Sequence, residues 1–501
     1  MKSIYILLFN LIILISCNTV KNDENEKLIT NPNPPNIVII VSDDHGSKDA
    51  GCYGNKAIKT PNIDLLASEG IKFNNAHCTS PSCSASRSVI LTGLYNHAIG
   101  HYGHMHSYHH FSSYDHVKSL PVYLKEFGNY RTGRVGKYHL APEAVYKFGE
   151  IFKANSRNSV AMADSVQAFI EDRDKRPFFL YYCTSDPHRG GGEVTAHPLK
   201  PNAFGNKKEG YPGIEKVTFN EADVIVPPYL PDRPETRAEL AQYYESVHRM
   251  DQGVGRIIQH LKSTGKWDNT VIIYISDNGI AFPGAKTNIY QAGINLPCIV
   301  KNVNSEHKGS ETDVFVSWAD LTPTVLELAG VLTNAQQYIQ SLYKEYGSEN
   351  TNNIYAKAFH GDSFADVLNG NLDKEDREMF ASHTFHEITM YYPMRSVVSG
   401  NFKLIWNIAH GLPYPHASDL YASATWQATL KSDDQLYAGR SVKDYTYRPQ
   451  FELYNIKDDP YEIKNLINSV EHQETAKALM VKMKKYQQET NDPWVTKWIH
   501  E

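Results

Sequence analysis

The chain has 501 residues, more than most single compact domains need, which suggests one large domain with a smaller companion. At 41% hydrophobic and 21% charged residues it is a folding composition and excludes a chain disordered throughout. A formal net charge of -6 excludes a general nucleic-acid binder, which carries a basic excess, so an anionic ligand must be met by a local cluster of cations.

The first element is a targeting segment. Lys2 precedes an apolar run from Ile4 to Ile15, too short to cross a bilayer comfortably, and Ser16-Cys17 follows. Leu14-Ile15-Ser16-Cys17 resembles the bacterial lipobox, so residues 1–17 are expected to be a lipoprotein signal with Cys17 as the acylated residue. A plain signal peptide is the alternative. Residues 18–35 are polar and read as a tether. This organisation places the chain in a bacterial cell envelope, touching the membrane through the lipid anchor only.

From residue 36, short apolar runs alternate with helical patterns. Residues 36–41, 131–135, 178–182 and 271–275 read as buried strands of a mostly parallel sheet. Between them, Thr60-Pro61 caps and opens a helix that stops at Gly70. A longer helix over 236–261 carries Leu240, Val247, Val254, Ile258 and Leu261 on one stripe, and 320–330 gives another. The pattern predicts an α/β domain over 36–390 with helices on both faces of the sheet. Beyond 391, strand-like stretches at 401–408 and 451–454 and a helix near 475–489 predict a small antiparallel α+β subdomain. Cys52, Cys78, Cys183 and Cys298 show no framework spacing and no Cys-x-x-Cys pair, which argues against structural zinc and leaves buried thiols or one disulfide.

Chemistry-bearing residues cluster where the predicted strands end. Asp43-Asp44 follows the first strand, Asp186-Pro187-His188 the third and Asp277-Asn278 the fourth. Ligands of open α/β sheets bind at such ends. Three carboxylates and an amide brought together there form an oxygen-only site, suited to calcium or magnesium rather than zinc. Turn chemistry alone accounts for either Asp pair taken singly. The sequence Cys83-Ser84-Ala85-Ser86-Arg87, continued by Ser88 to Gly93, reads as a helix opening at the cysteine, and a helix N-terminus favours anions.

These residues, with Leu91-Thr92-Gly93 and both Asp pairs in order, resemble the type I sulfatases, whose signature cysteine is oxidised to formylglycine before the chain folds. Further stretches resemble the heparan N-sulfatase branch of that family: His109-His110-Phe111, Lys118 to Pro121, Arg249 to Gly255, His386-Glu387, Tyr392 to Ser396 and Asp492-Pro493-Trp494. The resemblance implies the alkaline phosphatase-like fold and a formylglycine-generating enzyme as a maturation partner. It also implies that Asp43, Asp44, Asp277 and Asn278 bind one Ca2+, with the hydrated aldehyde at position 83 and the substrate sulfate completing the shell. One hydroxyl of the hydrate would attack sulfur, and the other would then expel the sulfate. Arg87 would steady the hydrate, Lys137 and His139 would assist its deprotonation, Lys286 would hold a sulfate oxygen and His188 would protonate the leaving group.

Two departures bear on the substrate. Lys286 stands where the N-sulfatase branch has Arg, a point charge in place of a fork, and Tyr102 to Ser107 differs between two matching ends. The resemblance favours the N-sulfated glucosamine of heparan-type chains, with an O-sulfated sugar of another uronic-acid polysaccharide, such as algal ulvan, as the alternative. Glu387 and Arg395 are candidates for sugar recognition, with packing an equal alternative. His106, His109 and His110 could line the pocket mouth, and their irregular spacing reads as a polar loop rather than a second metal site. A phosphatase or phosphodiesterase would need a Ser or Thr nucleophile and extra His and Asp ligands for two zinc ions. A non-catalytic glycan-binding lipoprotein would have no use for the full constellation.

Overall fold

Three apolar runs form the centre of the sheet, as chains buried on both faces must. In the computed structural model, which describes residues 33–190, 203–303, 305–346, 357–373 and 377–500, the strand Asn36–Ser42 lies between Phe178–Cys183 and Thr270–Ser276, parallel to both. Arg131–Gly136 extends the sheet beyond Phe178–Cys183, again in parallel. The expected signal, Cys17 and most of the tether lie outside the described residues. Short strands complete an eight-stranded, mostly parallel sheet: Glu150–Phe152 at one edge, and Cys298–Lys301, Ile71–Phe73 and Ser310–Thr312 towards the other. Cys298–Lys301 runs antiparallel to Thr270–Ser276.

The helices are placed by tertiary caps as much as by local ones. Pro61–Glu69 begins after Thr60 as expected, but the Thr60 hydroxyl does not cap it; it accepts from the Gly51 N–H at 2.8 Å. The free N–H groups of Asn62 and Ile63 donate instead to the Asp251 carboxylate, at 3.1 and 2.8 Å, from the long helix Pro234–Ser263. The helix expected over 320–330 is Trp318–Leu328. It starts earlier because Ser317 is its N-cap and Asp320 sits at the third position, accepting from the Ser317 N–H at 2.7 Å in a capping box.

A second, antiparallel sheet runs Met379–His383, Met394–Ser399, Phe402–Asn407, Phe451–Asn455, with the helix Gln473–Glu489 packed across it through Leu479 and Met483 onto Leu404 and Leu453. The boundary expected at 391 falls between its first and second strands, because the short run Met379–His383 carries too little alternation to be read as a strand. Cys52, Cys78, Cys183 and Cys298 are all free thiols, and Cys52 is only partly buried. Among the described residues, no helix is long and apolar enough to cross a membrane.

Candidate active site

Strand register sets the site. Ser42 pairs with Ser276, Val41 with Cys183, and Gly136 with Cys183, so the carboxyl ends of four strands stop at one level. The next residues of those strands are Asp43, Asp277, Thr184 and Lys137, followed by Asp44, Asn278 and, within five positions, His188. Gly136 makes the turn possible: its φ is +86°, and a Cβ there would stand 2.0 Å from the Cys183 carbonyl oxygen. Asp44 and His139 hold left-handed backbone angles, φ 67° and 59°, that non-glycine residues rarely adopt. Such conformations persist where surrounding structure enforces them, and they cluster at functional sites.

Cys83 opens the fully buried helix Cys83–Thr92, and Arg87, one turn later, lies on the same face. The Cys83 thiol stands 3.7 Å from Asp44 Oδ1. Arg87 Nε donates to Asp277 Oδ2 at 2.8 Å, and its Nη1 donates to the Lys137 carbonyl at 2.7 Å. Asn278 Nδ2 donates to Asp44 Oδ1 at 2.6 Å, and the Asp44 N–H donates to Asp277 Oδ1 at 3.1 Å. Lys137 reaches Asp43 Oδ2, and Lys286 reaches Asp44 Oδ2 at 3.1 Å. His188 Nδ1 lies 2.6 Å from Asp44 Oδ2. Asp186, two residues earlier, is held by Arg249 at 2.6 Å and Arg157 at 2.8 Å, which fixes the loop that presents His188.

The electrostatics follow from burying so many charges together. Burial works to raise Asp43 and Asp44, but Lys137 on Asp43 and Lys286 on Asp44, with His188 beside both, hold the two carboxyls below their ordinary value. Asp277 behaves differently. Burial and the neighbouring Asp43 and Asp44 charges, opposed by Arg87, push it up to about 7. Burial raises the Cys83 thiol well above its ordinary value, so the encoded side chain stays protonated and is a poor nucleophile. Burial, Lys286 and Lys137 lower His188. Because ionised Asp44 can only accept, its contact at 2.6 Å favours a proton on His188 Nδ1, opposed by the Lys286 ammonium at 3.2 Å from the same nitrogen.

The oxygen donors fit a hard divalent cation. Asp43, Asp44, Asp277 and Asn278 are fully buried, and Asp43 Oδ1 and Asn278 Oδ1 have no hydrogen-bond partner. Buried oxygens left unpaired at one spot, with three carboxylates around them, suit a hard cation of the calcium type.

Above this floor opens a cavity of about 900 Å³ whose wall includes Asp43, Lys137, His139, His188 and Lys286. All the expected catalytic positions except the buried Cys83 and Arg87 therefore face it. Glu387 lines its rim, accepting from the Ser418 N–H at 2.9 Å. Arg395 does not. It is 1% exposed, donates to Asp492 at 2.5 and 2.9 Å, and lies 4.8 Å from the Trp494 ring. Of the two readings open for Arg395, sugar recognition and packing, these contacts support packing: its guanidinium is consumed inside the antiparallel subdomain. His106 and His109 line the cavity, whereas His110 is exposed outside it.

Sequence reasoning missed Asp419, whose Oδ2 lies 3.1 Å from Lys286 and which also lines the cavity. It comes from the second subdomain, and a lone Asp in a loop carries no signal. Also missed were His104, packed among His106, His139 and His386, and the Arg157–Asp186–Arg249 brace. The segment Tyr102 to Ser107 drew attention only through its divergence.

Comparison with known proteins agrees with this geometry. The chain is 36% identical over 480 residues to the human N-sulphoglucosamine sulphohydrolase, covering 92% of this chain and 91% of the relative. It is 25% identical over 476 residues to an ulvan-active sulfatase of Formosa agariphila, covering 88% and 73% respectively. A solved structure of a protein with its substrate D-glucosamine-2-N,6-O-disulfate superposes with a TM-score of 0.62 at 19% identity, covering 92% of this chain and 98% of the other, which supports the shared alkaline phosphatase-like fold. The sulfatase family profile matches residues 35–331. With buried carboxylates, a helix-opening cysteine and converging cations at the strand ends, this chain belongs to the sulfatase family and is a sulfatase.

Proposed function

We propose that the chain removes sulfate from a sugar of a sulfated, uronic-acid-containing polysaccharide, using calcium and a formylglycine made from Cys83. The observation that supports this most is the meeting of Cys83 with Asp44, Asp277 and Asn278 beneath a cavity ringed by Lys137, Lys286 and His188. When bound, calcium supplies Lewis-acid polarisation of the sulfate oxygens, and the hydrated aldehyde supplies the nucleophilic hydroxyl.

The chain's own residues do the rest. Asp43, Asp44, Asp277 and Asn278 hold the ion. Lys137 and Lys286 set two positive charges at the floor, where a sulfate group is drawn in and its charge neutralised. Burial keeps His139 neutral, together with the Lys137 charge, so it can accept a proton near residue 83. His188 carries a proton on Nδ1 towards Asp44, leaving Nε2 to deliver one to the departing oxygen or nitrogen. An anionic sulfate beside it opposes the lysine charges that depress its basicity, and so favours the imidazolium when substrate is present.

The likeness to the human enzyme favours an N-sulfated glucosamine. An O-sulfated sugar of an ulvan-type polysaccharide is the second reading, supported by the Formosa relative and by Lys286. Glu387 at the rim takes part in sugar recognition. Anchoring at a bacterial envelope rests on the lipobox around Cys17, outside the described residues, and maturation on a formylglycine-generating enzyme. Sulfate release from defined N-sulfated and O-sulfated oligosaccharides tests the substrate. Faster turnover of the N-sulfated compounds supports the first reading, and turnover of O-sulfated ones alone replaces it with the second.

A further inference from the structure

The wall of the cavity beside residue 83 is built of imidazoles. The rings of His104, His106 and His139 lie with centroids 4.7 to 4.8 Å apart, each against the other two. His106 Nδ1 and His139 Nε2 are only 2.5 Å apart, so the two rings share a single proton. One nitrogen atom from each of the three rings lies within 4.8 Å of the others. The two neighbouring histidines are already committed. His109 Nδ1 accepts from the Ile388 N–H at 3.1 Å, and His386 Nδ1 is bonded to the Ser82 hydroxyl at 2.8 Å.

We propose that His104, His106 and His139 form a second, nitrogen-only site for a transition-metal ion of the zinc class, whose loading takes His139 away from residue 83. Three neutral imidazoles with a water in the fourth place are a preferred tetrahedral set for that class, with metal–nitrogen distances of about 2.0–2.1 Å. The oxygen donors of the floor, by contrast, suit a hard cation.

Three further observations support it. The loop is held in place on both sides, the His104 N–H donating to the His386 carbonyl at 2.9 Å and the Phe111 N–H to the His104 carbonyl at 3.1 Å. Buried His104 Nδ1 and His139 Nδ1 have no hydrogen-bond partner. His106 is exposed to the cavity, which gives an ion a path in. Burial keeps His104 and His139 in the neutral form that ligates metal, and shifting the shared proton to the other nitrogen of His106 frees the third donor. The ion would act as a brake, because His139 bound to metal cannot accept a proton. That consequence rests on the proposed function; the binding itself does not.

Zinc uptake by the purified, calcium-loaded protein, followed by titration calorimetry, tests the proposal, with cobalt absorption reporting the ligands. We expect one zinc per chain at micromolar free metal, a tetrahedral cobalt spectrum, and loss of both in the His104→Gln/His106→Gln double variant. Zinc uptake should persist in Asp44→Asn, which breaks the oxygen-donor floor. In the unsubstituted enzyme, zinc should inhibit sulfate release, and a chelator should restore it. No uptake, uptake unchanged by the double histidine variant, or uptake abolished by Asp44→Asn would overturn the second site. Binding at the histidines without inhibition would overturn the brake and leave the site.

Discussion

The floor and the rim of the cavity are built in different ways. The floor carboxylates, positioned by strand register, and the guanidinium of Arg87, carried by the helix Cys83–Thr92, are fully buried and tied together. The rim comes from loops of both subdomains: Tyr108 is 64% exposed, Glu387 rests on Ser418, and Lys207 stands 5.1 Å from the Tyr211 ring. A rigid floor fixes a reaction, since charges placed by a sheet need no reorganisation when charge develops. A loop-built rim can change the sugar it admits without touching that chemistry.

The largest expected effect breaks the floor. Asp277→Ala removes a proposed metal ligand and takes from buried Arg87 its shortest ion pair, leaving the Lys137 carbonyl and the more distant Asp43. We expect activity below detection and stability lower by about 3 kcal/mol or more. The strand-end position alone would suggest an undisturbed fold, and the buried ion pair says otherwise. Asp277→Asn should lose activity and calcium with a smaller loss of stability, because an amide oxygen can still accept from Arg87. Denaturant unfolding alongside calcium titration separates the two effects. Equal stability of wild type and Asp277→Ala would show the pair contributes nothing.

Next comes His188, at the upper edge of the floor. His188→Ala should slow sugar substrates by about 10²–10⁴-fold, with much smaller losses on aryl sulfates whose leaving groups need no proton. Equal losses on both would remove its role as an acid.

A third effect concerns pH. Raised to about 7 by burial and the Asp43 and Asp44 charges, Asp277 is protonated below that value when metal-free. A cation must then displace a proton. Apparent calcium affinity should hold above pH 7 and fall by up to about tenfold per unit below it. A flat calcium affinity between pH 6 and 8 would contradict the assignment.

The smallest effects lie at the rim and sharpen the contrast. Glu387→Gln should change KM for sugar substrates several-fold and leave kcat on a small aryl sulfate alone. Arg395→Met should lower thermal stability, because Asp492 would lose its partner, while KM stays constant. A KM effect from Arg395 with no loss of stability would return it to sugar recognition.

The two regions also differ in how legible they were. Three central strands are each buried on both faces, so their apolar runs stood out within a residue of their true ends, and Arg131–Gly136, with its two arginines, was placed as closely. Glu150–Phe152 and Ser310–Thr312 are edge strands of three residues, too short to make such a run. On the floor, Asp43, Asp44, Asp277 and Asn278 follow strands directly, and Cys83 and Arg87 share a helix face, so local spacing carried the geometry. Asp419 meets Lys286 across 133 residues through the fold of a second subdomain, which no spacing records. Arg395 stayed ambiguous for a related reason. It and Asp492 each lie in stretches that resemble one branch of the family, and they bond to each other, so the likeness recorded a packing pair.

Central to this account is that the residue acting at the floor is not the thiol the sequence encodes. Peptide mass spectrometry across residues 83 to 87 of protein with measured sulfatase activity tests that claim most directly. The account predicts an aldehyde in place of the Cys83 thiol, in a fraction that rises in step with specific activity. Full activity from protein whose Cys83 is entirely an unmodified thiol would contradict it.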